Sequence, residues 1–170
     1  MEGEIRKLTQ GAAELWIDGV NVGYTKDPVT QTINREYFDV KVEQIKGTIK
    51  TEMIDEDMTI STSLSEVSLD NLRRVWDQGG STLIGGTFLA IGTELGANEH
   101  TITIVTKAPE IAGDDMYDNY HVFKAVSYES VETSFAKGEN TIIPVTFKCL
   151  KDVLNDNRFG YISRSAAKGG

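Results

Sequence analysis

The sequence predicts a mostly β protein, an antiparallel β-sandwich or small barrel with one flanking α-helix. Three observations predict it. Apolar and polar residues alternate with a period of two in most ordered-looking stretches, as in half-buried strands. Only one segment carries a helical period with matching end signals. No strand–helix–strand rhythm recurs, which disfavours a parallel sheet.

The elements follow in chain order. WIDG followed by VNVGY reads as a hairpin turning at Asp18-Gly19, since Asp-Gly supplies the left-handed backbone that a tight turn needs. In YFDVKV, Phe38, Val40 and Val42 fall on one face, expected to pack, and Tyr37, Asp39, Lys41 and Glu43 fall on the other. MTISTSLSEV alternates most cleanly, with Met58, Ile60, Thr62 and Leu64 opposite Thr59, Ser61, Ser63 and Ser65. That second face is small and polar. A helix should begin after Ser68, a good N-cap, with Asp70 complementing the helix dipole and Leu69, Leu72, Val75 and Trp76 forming an apolar stripe. Gly79 and Gly80 should stop it.

Further strands are expected in HTITIVT, NYHVFKAVSYE and NTIIPVTFKCL. The last should bury Ile143, Val145, Phe147 and Cys149 on a common side. Pro144 cannot donate to a ladder and so points to an edge or bulge.

At 170 residues and 39% hydrophobic content, the chain fits a single domain spanning 1–170, with a core that needs neither metal nor disulfide. Both ends read as mobile, residues 1–11 because they are polar and 163–170 because they are small. With 17 basic against 26 acidic residues the net charge is −9, which opposes nonspecific capture of phosphate backbones. Cys149 is the single cysteine and reads as a small buried hydrophobe suited to a reducing cytoplasm. No stretch approaches the roughly 20 apolar residues of a membrane span, so no membrane insertion is expected.

Chemistry is sparse. A Ser–His–acid triad or a zinc site has only His100 and His121 to draw on, and both lie in predicted strands outside any motif. The stretch GGSTLIGG has no Lys-Ser or Lys-Thr to close a phosphate loop. Acidic clusters at Asp55, Glu56 and Asp57 and at Asp114, Asp115 and Asp118 lack the ligand alternation of a calcium loop and read as solvated loop charges. No enzyme activity, cofactor or metal is expected. A monomeric β-sandwich binding module presenting loops such as residues 108–119 is an alternative in keeping with these features.

Three stretches, in their order and spacing, carry a resemblance to a known family. GAAELWIDGVNVGYT looks like an opening hairpin leading to an extended segment, MTISTSLSEVSLDNL runs a Thr/Ser-rich strand through Leu-x-Glu-Val into a helix, and ENTIIPVTFKCL looks like a closing strand. Together, over residues 12–160, they resemble the tail tube (major tail) proteins of long-tailed bacteriophages. The resemblance implies a virion tail structural protein, assembled in the host cytoplasm, whose hexameric rings stack into a hollow tube conducting DNA. It implies as partners further copies of the chain, tape-measure protein and viral DNA in the lumen, and baseplate or tail-tip and tail-terminator proteins. Related rings serve in pyocins and type VI-like injection machines.

Under that resemblance, residues 43–57 are expected to form an extended hairpin or loop contacting a neighbouring subunit or ring. Its residues are Ile45, Lys46, Gly47, Thr48, Ile49, Met53, Ile54, Asp55, Glu56 and Asp57, more apolar than a solvated loop requires. The lumen is expected to be lined by Asp39, Lys41, Glu43, Thr59, Ser61 and Ser63. Six copies at a net charge of −9 each make such a channel acidic, so that DNA slides rather than sticks.

Overall fold

The computed structural model describes residues 13–76, 98–108, 116–128, 132–133, 138 and 141–169. Among these residues eight strands and one α-helix run in the order β1 (Glu14–Ile17), β2 (Val20–Asn21), β3 (Thr30–Lys41), β4 (Thr48–Leu64), α1 (Leu69–Val75), β5 (His100–Lys107), β6 (Tyr117–Ser127), β7 (Ile143–Leu150) and β8 (Gly160–Ser165), with a 3-10 turn at Val153–Asn155 before β8. Neighbouring strands lie in the order β2-β1-β5-β6-β7-β4-β3, and β8 pairs with β6. Every pairing is antiparallel, and the sheet does not close. The fold is thus an antiparallel β-sandwich with one helix.

One core joins the two layers. Leu15, Ile17, Ile102, Ile104 and Val122 come from β1, β5 and β6, and they meet Met58, Ile60, Leu64, Ile143, Val145 and Phe147 from β4 and β7. Alternation on β4 and β7 therefore resolves as expected, with the predicted apolar faces buried. Burial pushes the Cys149 thiol up to about 12, so it stays protonated and inert at neutral pH. Pro144 pairs only with Ser63 of β4, beyond the short ladder that β6 makes with residues 147–150 of β7. Its missing N–H is tolerated there.

The β1–β2 hairpin turns at Asp18 and Gly19, both with positive φ (52° and 76°), the mirror-image turn whose twist matches the strands. Ser68 caps α1 by accepting a hydrogen bond from the Asn71 amide at 3.1 Å. Val75 is buried, and Leu72 and Trp76 pack against the core. Asp70 meets Arg73 and Arg74, and Arg74 Nε also lies 3.9 Å from Asp18, tying the helix to the first turn. His100 Nδ1 completes that cluster, 2.8 Å from Asp18 Oδ2. Gly79 and Gly80 lie outside the described residues, as do residues 1–11, Asp114 and Asp115.

The C-terminal end differs from expectation. Residues 163–165 complete β8, which pairs with β6 from Tyr117 to Val122. Beyond it the chain crosses the outer face as a strap. The fully buried Asn119 amide donates to Ser165 Oγ at 3.2 Å and Ala167 O at 3.1 Å and accepts from Gly169 N at 2.9 Å. Lys168 Nζ reaches Glu14 at 2.6 Å. Small residues read as mobility in the sequence; here they allow close packing, with Gly169 against the Trp16 ring.

Asp118 is likewise no loop charge. It lies on β6, where Arg164 grips it through two bonds, Nε to Oδ1 at 2.6 Å and Nη2 to Oδ2 at 2.9 Å. That bidentate pairing holds the Asp118 carboxyl below the usual carboxylate range. A depressed carboxylate contributes stability above its unfolded pKa and loses it as pH falls through the folded value. We expect urea stability to decline below about pH 4, the ordinary aspartate range, and to decline less steeply in Asp118→Asn. Equal slopes in the two proteins would contradict this.

Candidate assembly surface

β7 ends at Leu150 and pairs with β4 only from Met58 to Leu64. The rest of β4, residues 48–57, continues with β3 as a two-stranded arm whose only described strand pairing is internal. Its tip is a six-residue turn, 42–47, closed by Ile45 N donating to Val42 O at 3.3 Å and by Gly47 at φ 115°. The expected extended hairpin at 43–57 is present, as the outer part of a longer one.

Apolar residues on this arm are not covered. Ile45, Ile49, Met53 and Ile54 are 56%, 47%, 51% and 59% exposed, so their own domain leaves about half of each uncovered. Ile33, Tyr37, Phe38 and Val42 are exposed as well. The face of Phe38, Val40 and Val42 expected to pack therefore finds no core beneath it among the described residues. A strand needs a second layer to bury a face, and among the described strands none lies over this part of β3.

Charges on the arm are mostly satisfied at its base. Arg35 Nε contacts Glu56 Oε1 at 2.9 Å, Lys151 lies 3.4 Å from Glu56 Oε2, and Lys148 is 3.6 Å from Asp57. The hydrogen bond from Arg35 holds the Glu56 carboxyl low. Asp55, Glu56 and Asp57 thus belong to a strand, where the sequence suggested a loop. Farther out, Thr51 Oγ1 donates to Asp39 Oδ1 at 2.7 Å.

The register divides the expected lumen set. Directly opposed residues in an antiparallel pair share a face. Thr59 faces Thr32 and Ser61 faces Thr30, whereas Asp39 faces Thr51 and Lys41 faces Thr48. β3 runs without an inserted residue, so Asp39 and Lys41 share the face of Ile33, which lies opposite the buried Met58. Thr59, Ser61 and Ser63 lie on the opposite face, and Glu43 is in the tip. Alternation within each strand does not carry parity from one strand to the next, and β4 carries register shifts at Ile54 and Ile49 that reset its faces.

The small polar face is larger than the sequence suggested. Thr30 and Thr32 from β3 and Thr146 from β7 join Thr59, Ser61 and Ser63. Nothing in a single strand's pattern could bring these three threonines in; only the pairing does. A separate groove of about 300 Å³ opens where β7 ends, lined by Ile33, Met58, Val122, Phe159 and Ile162 among others.

No protein-family model matches this chain, and no curated protein matches it.

Proposed function

We propose that the chain is a structural subunit of a phage tail tube or a phage-derived injection tube, joining copies of itself into stacked rings. The observation that carries this reading is the arm: an uncovered apolar hairpin whose outer edges have no strand partner in the described chain. A monomer gains by blunting such edges, whereas an assembling subunit uses them. The resemblance of the three sequence stretches supplies hexameric symmetry, the tape-measure and DNA contents of the lumen, and the capping baseplate and terminator partners.

Negative-stain microscopy of the purified protein at high concentration, alone and with its tail-initiation complex, tests the reading. Rings or tubes are expected, and a chain that stays monomeric under both conditions overturns it. A variant with residues 45–49 replaced by a short Gly-Ser turn should fold normally, because those side chains support no core, yet form no tubes. Normal tube growth by that variant would remove the tip from the assembly contact.

The channel wall in this reading is the Thr/Ser face of Thr30, Thr32, Thr59, Ser61, Ser63 and Thr146, not the face of Asp39 and Lys41. Short hydroxyl side chains bring no cation to neutralise phosphate, and Lys148, which the register sets on this face opposite Thr59, is offset by Asp57 at 3.6 Å, so DNA passes without being held. Cysteines at Thr59 and Ser61 in a Cys149→Ser background should be shielded in tubes from a thiol reagent too bulky for the bore. Labelling as fast as in free subunits would place this face outside.

A further inference from the structure

We infer that the free subunit pairs with a second copy through the outer edge of β3, in an antiparallel ladder centred on Tyr37, with Arg35 of each copy opposite Asp39 of the other. β3 is twelve residues long, exposed almost throughout, and among the described residues is hydrogen-bonded to a neighbour strand along one edge only. Two such edges related by a two-fold axis normal to the sheet must run antiparallel. A given face then continues across the junction, so opposed residues share parity and the centre falls on a residue.

Charge and ladder length together separate the registers: centring on Ile33 or Asn34 opposes no unlike charges, and centring on Val40 opposes Asp39 to Lys41 but reaches the end of β3 one residue from its centre. Centring on Arg35, Glu36 or Asp39 sets a charge against its own copy. Centring on Phe38 sets Arg35 against Lys41 twice. Centring on Tyr37 sets Arg35 against Asp39 twice and Tyr37 against Tyr37, with no like charges opposed. On the other face, Glu36 lies against Phe38 and Asn34 against Val40.

Arg35 is held to Glu56 through Nε, and a planar guanidinium carries further donors in a fork that can meet a second carboxylate. The pairing makes a four-stranded ribbon of two arms and covers Tyr37, Phe38 and Val40, which the free chain exposes in part or fully. It hides the edge that tube growth needs, which makes it a resting form of the subunit under the reading above. The dimer itself does not depend on tubes forming.

Sedimentation velocity over a concentration series tests it. Wild-type protein should show a reversible monomer–dimer equilibrium. Arg35→Asp and Asp39→Arg should each weaken it about tenfold or more, since each turns two unlike pairs into like ones. Mixing the two variants in equal amounts should restore a dimer containing one of each, because both cross pairs are then Asp against Arg. Circular dichroism should be unchanged in both, as the side chains are exposed. Wild type that is monomeric throughout, single variants that dimerise as well as wild type, or a mixture that stays monomeric would each overturn the proposal. Tyr37→Cys in a Cys149→Ser background should oxidise to a covalent dimer at concentrations where the Tyr24→Cys control does not; equal rates would also overturn it. Tubes are scored separately by microscopy, so dimers without tubes would count against the tube reading alone.

Discussion

Replacing Phe147 with alanine is expected to lower folding stability by about 3–5 kcal/mol, the range for emptying a buried aromatic site. Phe147 is fully buried at the middle of β7. Its neighbours across the ladders are Ile60 on β4 and Ser127 on β6, so strands hold the site on both sides. The ring also meets the His100 imidazole edge-on, with centroids 6.3 Å apart. Paired strands cannot slide inward to fill the void without breaking ladder hydrogen bonds, so little of the cavity should close. For a chain of this size the loss corresponds to a drop in Tm of roughly 10 °C. Urea unfolding followed by circular dichroism measures it, and a loss below about 1 kcal/mol would show that Phe147 does not hold the layers together.

Gly160→Ala should be nearly as damaging, by a different cause. A Cβ at Gly160 would sit 1.7 Å from His121 O and 2.8 Å from His121 C, both backbone atoms of the facing strand. No rotamer relieves that contact; β8 or β6 must move. Overpacking of this kind costs about 1–3 kcal/mol and sometimes more. β8 also anchors the strap, so the effect should spread to Trp16, whose ring packs on Gly169. A red shift of Trp16 emission, recorded with Trp76→Phe to remove the other indole, is the expected signature. Unchanged emission and stability would mean that the backbones can separate at little cost.

How much was legible in the sequence depended on whether a face had a partner. On β4 and β7, alternation named the buried residues correctly, because a second layer lies over both strands. On β3 the same alternation assigned Phe38, Val40 and Val42 to a core that does not extend to them. Period two says which side chains share a face; it does not say that anything covers that face. The single face expected for Asp39, Lys41, Thr59, Ser61 and Ser63 divides for a related reason. Parity can be carried from β3 to β4 only if the register is unbroken, and the shifts at Ile54 and Ile49 were invisible in the residue types. At the C-terminus, composition misled because glycine and serine serve close packing as readily as mobility. The first turn at Asp18-Gly19 and the helix N-cap at Ser68, by contrast, are legible in the sequence, since both act through their immediate neighbours.

The strand order also sets when the core can form during folding. β4 waits for β7, with Met58 opposite Cys149, and β1 waits for β5, with Ile17 opposite Ile102. Each junction joins residues at least 79 apart in the sequence, Leu64 to Ile143 for β4 and β7 and Ile17 to Ile102 for β1 and β5, and such distant pairings slow the approach to the native state because chain entropy is lost before contacts repay it. Three hairpins among the described residues, at Asp18-Gly19, at the arm tip and between β5 and β6 where Lys107 pairs with Tyr117, join strands adjacent in the chain without a long excursion. The arm can therefore zip early while the layers that should anchor it are still apart, leaving its apolar side chains and open edges exposed to other nascent copies. Emergence of β7 ends that exposure for the body of the protein, and leaves it in place for the arm.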